Sequence, residues 1–340
     1  MTLFGFFFLY CLYETIKARH LITDTSLVYA GAIYRKELPL EAIQGFRTNQ
    51  QYTFILPKSK AYPKIRIGYT SEGYEEIQQW LAEHYPNLDE QEQKQEEEAL
   101  LEDYTLGRTV SEREETLGQA RKVAKWLNLA GMATAGWLFF LPKPYEVALA
   151  AALALPIIAA LALFWHRTAM RPDEQKNSAY PSLAAALFMP SLGLLLRCLF
   201  DFELLSYSSV WAIAGLVAAG FGGFLLLSSQ EFLRQPKSRW SAGLSVVAYA
   251  LLYGYAATVS VNCAFDGEPT QHYQATVLSK HYSSGKSTTY YLHVSPWGPR
   301  TEPEDITVTE EHYEHAASGE PVHIYQMSGR LGIPWFIAIE

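Results

Sequence analysis

The chain has 340 residues, a net charge of -8 and 49% apolar residues, with a mean hydropathy of -0.03. The acidic balance argues against nucleic acid as a partner, because nucleic acid requires a basic face. Cys11 and Cys198 lie in apolar runs and Cys263 just after one, so the three cysteines do not indicate a disulfide framework.

Residues 1–17 begin the chain with an apolar segment, Leu3–Tyr13, that ends at Lys17 and Arg19. The segment lacks the basic start and the small-residue cleavage site of a signal peptide, so we expect a sixth transmembrane helix or a membrane anchor. An interfacial helix, or a start of translation assigned too late, would also explain its short length.

Residues 18–86 have the pattern of short strands followed by one helix. Ile65, Ile67 and Tyr69 alternate with Lys64, Arg66 and Gly68, which is typical of a half-buried strand. The predicted strands are Tyr52–Leu56 and Ile65–Tyr69, with shorter ones at His20–Thr23, Ser26–Tyr29, Ala32–Leu38 and Ala42–Thr48. The helix is predicted to begin at Ser71 as N-cap and to end before Pro86. Its apolar stripe needs a sheet to cover: Tyr74, Ile77, Trp80, Leu81 and Tyr85.

This order of antiparallel strands and one closing helix resembles the bacterial pleckstrin-homology-like domain. The resemblance rests on HLITDTSLVYAGAIYRKELPLEAIQGF, YTFIL, KIRIGY and EGYEEIQQWLAEHY. It implies an α+β module that binds or scaffolds beside a membrane, and it implies no catalytic residues.

Four basic residues lie in and after the turn Pro57–Pro63: Lys58, Lys60, Lys64 and Arg66. Near an anionic bilayer each basic group contributes up to about 1 kcal/mol, so these residues are candidates for contact with lipid headgroups. A solvated turn with charged outer strand faces is the simpler interpretation. Residues 87–122 follow as an acidic, helical linker with few apolar residues to bury.

Residues 123–261 contain five apolar runs, each of the length needed to cross a bilayer. The runs are Val123–Leu141, Val147–Trp165, Leu183–Phe200, Val210–Ser228 and Ala242–Val261. Basic residues cluster before the first run, after the second and after the fourth: Arg121, Lys122, Lys125, Arg167, Arg171, Lys176, Arg234, Lys237 and Arg239. Because short cytoplasmic loops are rich in Lys and Arg, residues 18–122 are predicted to be cytoplasmic and residues 262–340 extracytoplasmic. The predicted location is a bacterial inner membrane, with the lipid bilayer as a partner.

Two features lie inside these runs. Gly215, Ala219 and Gly223 recur every four residues, a spacing that lets another helix approach closely; we favour packing within the bundle over a contact between two copies. Arg197 lies toward the interior of a run, where charged residues are functional candidates. Asp201 follows four residues later, so an ion pair at the membrane surface also explains Arg197.

Residues 262–340 are predicted to form a small β-barrel or sandwich. The predicted strands are Gln271–Tyr282, Ser287–Val294, Asp305–Thr309, Val322–Met327 and Pro334–Ile339, with a helical turn at Glu310–Ala316. KSTTYYLHVSPWG and GRLGIPWF resemble the C-terminal module of bacterial multi-span membrane proteins. His312 and His315 have a spacing compatible with two metal ligands, but no specific metal motif completes them, and surface histidines are the better interpretation.

The predicted fold class is a membrane α-helical bundle of five to six helices with two soluble modules, one PH-like and one a small β-domain. The chain contains no GxSxG, Walker, GxGxxG or CxxC motif, and the prediction is a non-enzymatic protein without metal or cofactor. We expect a scaffold or sensor that can bind a protein partner through either β-module. A small-solute transporter or channel-like membrane protein is the alternative, and it requires a polar path among the spans.

Overall fold

The computed structural model describes residues 13–14, 17–229, 239–285 and 288–339. The chain divides into two compact units. The first consists of residues 1–104 together with Lys176–Ala179, and the second of residues 105–175 and 180–340. The predicted span in residues 1–17 lies almost wholly outside the described residues.

The first unit contains two three-stranded antiparallel sheets. One comprises β1 (Arg19–Ile22), β2 (Ser26–Ala30) and β3 (Arg35–Pro39), and the other β4 (Ile43–Thr48), β5 (Tyr52–Pro57) and β6 (Ile65–Gly68). The alternation in the sequence determines the buried face, since Ile55, Ile65 and Ile67 are fully buried. The predicted small β-module is present, and its identity as a PH-like domain remains a prediction.

Helix α1 (Tyr74–His84) covers this core, and Leu81 is its fully buried residue. The predicted N-cap was wrong. The N-cap is Gly73, with φ of 70°, while Ser71 belongs to the preceding turn, where its N–H donates to the Gly68 carbonyl. A left-handed φ suits glycine because it has no Cβ, so the turn delays the start of the helix.

Helix α2 (Leu88–Glu102) occupies the first part of the predicted linker and belongs to the first unit. Its N-cap Asn87 accepts a hydrogen bond from the Asp89 amide, and Leu100 is buried. The acidic segment therefore forms a helix as predicted, but at least this part of it packs instead of standing free in solvent.

Four helices of the described residues are long and apolar enough to cross a membrane. They are Tyr145–Trp165 (α4), Ala184–Asp201 (α5), Tyr207–Ser228, which includes α6 (Val210–Ser228), and Trp240–Ala264, within α7 (Arg239–Ala264). The first predicted run instead forms the second half of a 31-residue helix, α3 (Val110–Phe140), which is not among the four. Lys125 and Asn128 lower its apolar character, so a fifth crossing remains a prediction.

The second unit also contains a six-stranded curled sheet. Its strands are β7 (Glu203–Leu204), β8 (Gln271–Ser284), β9 (Thr288–Val294), β10 (Glu304–Val308), β11 (Pro321–Met327) and β12 (Trp335–Ile339), in the order β10-β9-β8-β11-β12-β7. A short helix, α8 (Glu310–His315), follows β10. Five strands match the predicted ones. The sixth, β7, was predicted as a loop between two spans, and two residues are too few to show a strand pattern.

Candidate functional site

The four predicted headgroup residues lie on or beside the outer face of the β4-β5-β6 sheet. Lys64 Nζ lies 4.0 Å from the centroid of the Phe54 ring, and Arg66 Cζ lies 4.9 Å from that of Tyr52. Because both rings stand on β5 and face outward, each cation is held against an aromatic surface while its charge stays exposed. Lys58 differs, since its Nζ donates to the Glu41 carbonyl at 2.8 Å.

Lys60, Lys64 and Arg66 make no ion pair with any carboxylate of the described residues. The face therefore has uncompensated positive charge in a protein whose net charge is -8. Aromatic rings beside exposed cations are the chemistry that contacts phosphate-bearing surfaces. Contact with lipid headgroups remains a prediction for these four residues.

Arg197 caps the end of a neighbouring helix. Its Nε donates to the Leu138 carbonyl at 2.6 Å and its Nη2 to the Phe139 carbonyl at 3.1 Å, both in the last turn of α3. Nη1 lies 3.3 Å from Asp201, whose other oxygen accepts the Tyr145 hydroxyl at 2.7 Å. The last carbonyls of a helix lack partners within it, so this arginine has a structural use at the helix ends.

Gly215, Ala219 and Gly223 lie on a face of α6 that no described helix covers closely, so their predicted packing within the bundle stays a prediction. No described atom lies within 4 Å of a Cβ built on Gly215 or Gly223, and Gly215 and Ala219 are exposed. The preceding residues make the close contact with α7. Their row is Ala214, Ala218 and Gly222, and it faces Ala250 and Gly254. A shift of one residue turns a helix by about 100°, so α7 covers a different face of α6 from the one that the sequence spacing indicated.

The C-terminal domain is joined to the end of α7 by buried hydrogen bonds that sequence reasoning missed. Asn262 has no exposed surface. Its Nδ2 donates to the Ile333 carbonyl at 2.8 Å, while its Oδ1 accepts the amides of Leu331 at 3.0 Å and Ile333 at 3.2 Å. Nearby, Asp266 accepts the Gly329 amide at 2.8 Å and Trp335 Nε1 at 3.0 Å. The only sign of this junction in the sequence was a polar side chain, Asn262, directly after the apolar run Ala242–Val261.

A shared apolar cluster reinforces this junction. It joins residues from three spans with residues from the sheet: Cys198, Leu204, Val210, Ala214, Val259, Cys263, Met327, Ile333 and Trp335. Because residues of the helix ends and of the strands are buried in one cluster, the sheet packs directly against the spans.

Asp89 is the centre of a second group of hydrogen bonds, which lies within the first unit. Its carboxylate accepts Lys176 Nζ at 2.8 Å, Asn177 Nδ2 at 2.7 Å and Arg47 Nη1 at 3.2 Å. Burial alone would raise the pKa of Asp89, but hydrogen bonds from Lys176 and Asn177 outweigh it and hold the pKa below its ordinary value. Lys176 and Asn177 come from the chain between α4 and α5, and they belong to the first unit.

Several C-terminal histidines lie within hydrogen-bond distance of one partner each. His272 Nε2 lies 2.7 Å from His323 Nδ1, and His293 Nδ1 lies 2.8 Å from an Asp305 oxygen. His315, one of the two with helical spacing, bonds to the Glu311 carbonyl. Within the described ranges, no group of three or more His, Cys, Asp or Glu residues can hold a metal ion.

Comparison with known proteins does not assign this chain to a family. No protein-family model, no curated protein and no solved structure matches this chain.

Proposed function

We propose that this protein is a non-enzymatic membrane scaffold or sensor, with soluble modules on opposite sides of a bacterial inner membrane. The observation that carries the proposal is the junction at Asn262, where the loop before β12 hydrogen-bonds to α7 and the C-terminal sheet shares an apolar core with three spans. A module built onto helix ends transmits a displacement to them, whereas a module on a flexible linker does not.

Two contacts support the opposite placement of the modules. The N-terminal unit holds Lys176 and Asn177, from the loop between α4 and α5. The C-terminal sheet includes β7, from the next loop, between α5 and α6. Successive loops of a spanning chain emerge on opposite sides, so a module that packs with one loop lies across the bilayer from a module that packs with the next. The predicted cytoplasmic side is that of the N-terminal unit.

The proposed sidedness is testable with single cysteines at exposed positions. Glu98→Cys on α2 and Glu302→Cys before β10 place one thiol in each module, in a chain whose three native cysteines are replaced by alanine. We expect a membrane-impermeant maleimide to label position 302 in intact cells and position 98 only after permeabilisation. Labelling of both positions under the same condition would place the modules in one compartment and overturn the proposal.

A further inference from the structure

Strand β1 lies at one edge of its three-stranded sheet. It pairs with β2 and with no other described strand. The bond from the Thr23 amide to the Ser26 carbonyl sets the register of the hairpin. Because bonded and non-bonded pairs alternate along an antiparallel ladder, the N–H and C=O groups of His20 and Ile22 point away from β2. Such groups are a template for another strand.

This edge borders an open groove of about 1100 Å³ in the first unit. The opposite wall is the turn Thr70–Gly73 with one face of α1, from which Ile77 and Trp80 contribute apolar surface. On the strand side, Leu21 is 51% exposed and Ile22 is 38% exposed. A groove with apolar walls and one polar backbone edge leaves both kinds of surface for an occupant to cover.

The neighbouring strand does not use this edge. A nitrogen of the His20 ring lies 3.1 Å from the Arg66 carbonyl on β6, so a side chain and not backbone pairing connects β1 with β6. An occupant that satisfies the groups of His20 and Ile22 must present N–H and C=O groups at the repeat of a strand, about 3.3 Å per residue. An extended polypeptide has this repeat, and a lipid tail does not.

The two rims of the groove have opposite charge. Arg19 lies on the β1 side, and Glu72 and Glu76 lie on the opposite side. All three are exposed, and none makes an ion pair with a described residue. An occupant with a basic side chain toward Glu72 and Glu76 therefore complements the groove.

We propose that β1 binds an extended segment of a partner protein as an added strand, with apolar side chains toward Ile77 and Trp80 and a basic side chain toward Glu72 and Glu76. Strand addition of this kind takes its affinity from the main chain and its specificity from the side chains. The proposal assigns a partner class to the scaffold role above and rests on that role. The test measures peptide binding to the groove and does not depend on the side of the membrane on which the groove lies. A failed topology experiment and a failed binding experiment are therefore distinguishable.

The test uses the full chain in detergent micelles and the fluorescent peptide KVTVKV, read by fluorescence anisotropy. We expect saturable binding with a Kd of about 10 to 100 μM, because the edge is only four residues long. The same peptide with alternate backbone nitrogens methylated keeps its side chains but loses donors, and it should bind at least about tenfold more weakly.

Charge reversal in the protein provides the second arm. Glu72→Lys with Glu76→Lys should weaken binding at least about fivefold, whereas Glu75→Lys should leave it unchanged, because Glu75 is exposed on the same helix but does not line the groove. Equal binding of the methylated peptide, an equal loss in Glu75→Lys, or no saturable binding up to about 1 mM would each overturn the proposal. Circular dichroism confirms that each variant is folded.

Discussion

At the scale of single residues, a few buried or half-buried polar side chains fasten segments that are far apart in the sequence. Asp89 accepts hydrogen bonds from Lys176 and Asn177, and Asn262 binds the loop before β12. Both side chains replace water as the hydrogen-bond partner of groups that are removed from solvent on folding. A buried polar group left without a partner costs about 1 to 3 kcal/mol. These residues are therefore where single substitutions are most informative.

Asp89→Asn should loosen residues 176–179, which belong to the first unit with Asp89. The folded pKa of Asp89 is below its ordinary value, so its stabilisation is present above about pH 4 and is lost as the pH falls through the lower folded pKa. We expect the substitution to cost about 2 kcal/mol at pH 7, with faster hydrogen exchange at residues 176–179. Glu98→Gln, an exposed position on the same helix, should change neither; an equal effect there would contradict the role of Asp89.

For Glu203 we predict the opposite dependence of stability on pH. Burial raises its pKa to about 7, and the nearby carboxylate of Glu304 adds to the rise. Its stabilisation is thus full below about pH 4 and is lost as the pH rises through about 7. Glu203→Gln should remove this loss, since an amide oxygen still accepts the Thr307 amide without becoming charged.

The measurement is the difference in Tm between pH 5 and pH 8, for the wild type and for Glu203→Gln. The variant should show a smaller decrease toward pH 8 than the wild type. Glu302→Gln, on an exposed residue of the same domain, should retain the wild-type difference. A wild-type decrease that survives Glu203→Gln would assign the pH dependence to another group.

At the scale of secondary-structure elements, closely packed helices and capped ends determine the architecture. Helices α6 and α7 approach closely because Gly254 lies against Ala214 and Ala218. Without a hydrophobic driving force between helices in lipid, such close packing is a main source of association. Arg197 acts at the same scale, because it supplies donors to the final carbonyls of α3.

Gly254→Ala should destabilise the bundle, and Gly215→Ala should not. A methyl group at Gly254 would lie 2.7 Å from the Ala214 carbonyl oxygen, so the helices must separate, at a cost of about 1 to 3 kcal/mol. The same substitution at Gly215 meets no described atom within 4 Å. Thermal unfolding in detergent compares the two variants, and equal stability would show that the close approach is absent.

At the scale of the whole molecule, the second unit joins helices that can cross a membrane directly to a six-stranded sheet. Strand β7 follows α5 after one residue and extends the sheet. Asn262, near the end of α7, and Asp266, just after it, accept hydrogen bonds from the loop before β12. Arg300 adds a further bond, donating to the Leu205 carbonyl at 2.8 Å. The C-terminal domain therefore contacts the ends of at least two helices.

Asn262→Ala tests this attachment. The substitution leaves the amides of Leu331 and Ile333 and the Ile333 carbonyl without their partner, at a cost of at least about 3 kcal/mol. We expect faster hydrogen exchange at residues 329–334, with the remaining spans intact. Asn128→Ala removes a comparable contact, with Ser182 and Ala186 at the start of α5, and should leave residues 329–334 protected. Unchanged exchange in Asn262→Ala would show that the junction does not depend on this side chain.

The sequence alone determined the features that depend on local periodicity. Continuous apolar runs predicted helices that can cross a membrane, and alternation predicted strands such as Ile65–Gly68, because burial on one face imposes a period of two. Local signals were weaker at the first run, where Lys125 and Asn128 interrupt the apolar pattern, and at Gly73, where the backbone and not a polar side chain determines the helix start.

Only the tertiary structure decided which residues meet across the chain. Spacing could place Gly215 and Gly222 on one helix, but the face that α7 covers depends on the packing of both helices. Likewise β7, the partners of Asp89 and the junction at Asn262 depend on contacts between residues tens of positions apart. Local sequence carries the preference of a segment for helix or strand, whereas such contacts are selected by the burial and hydrogen bonding of the folded whole.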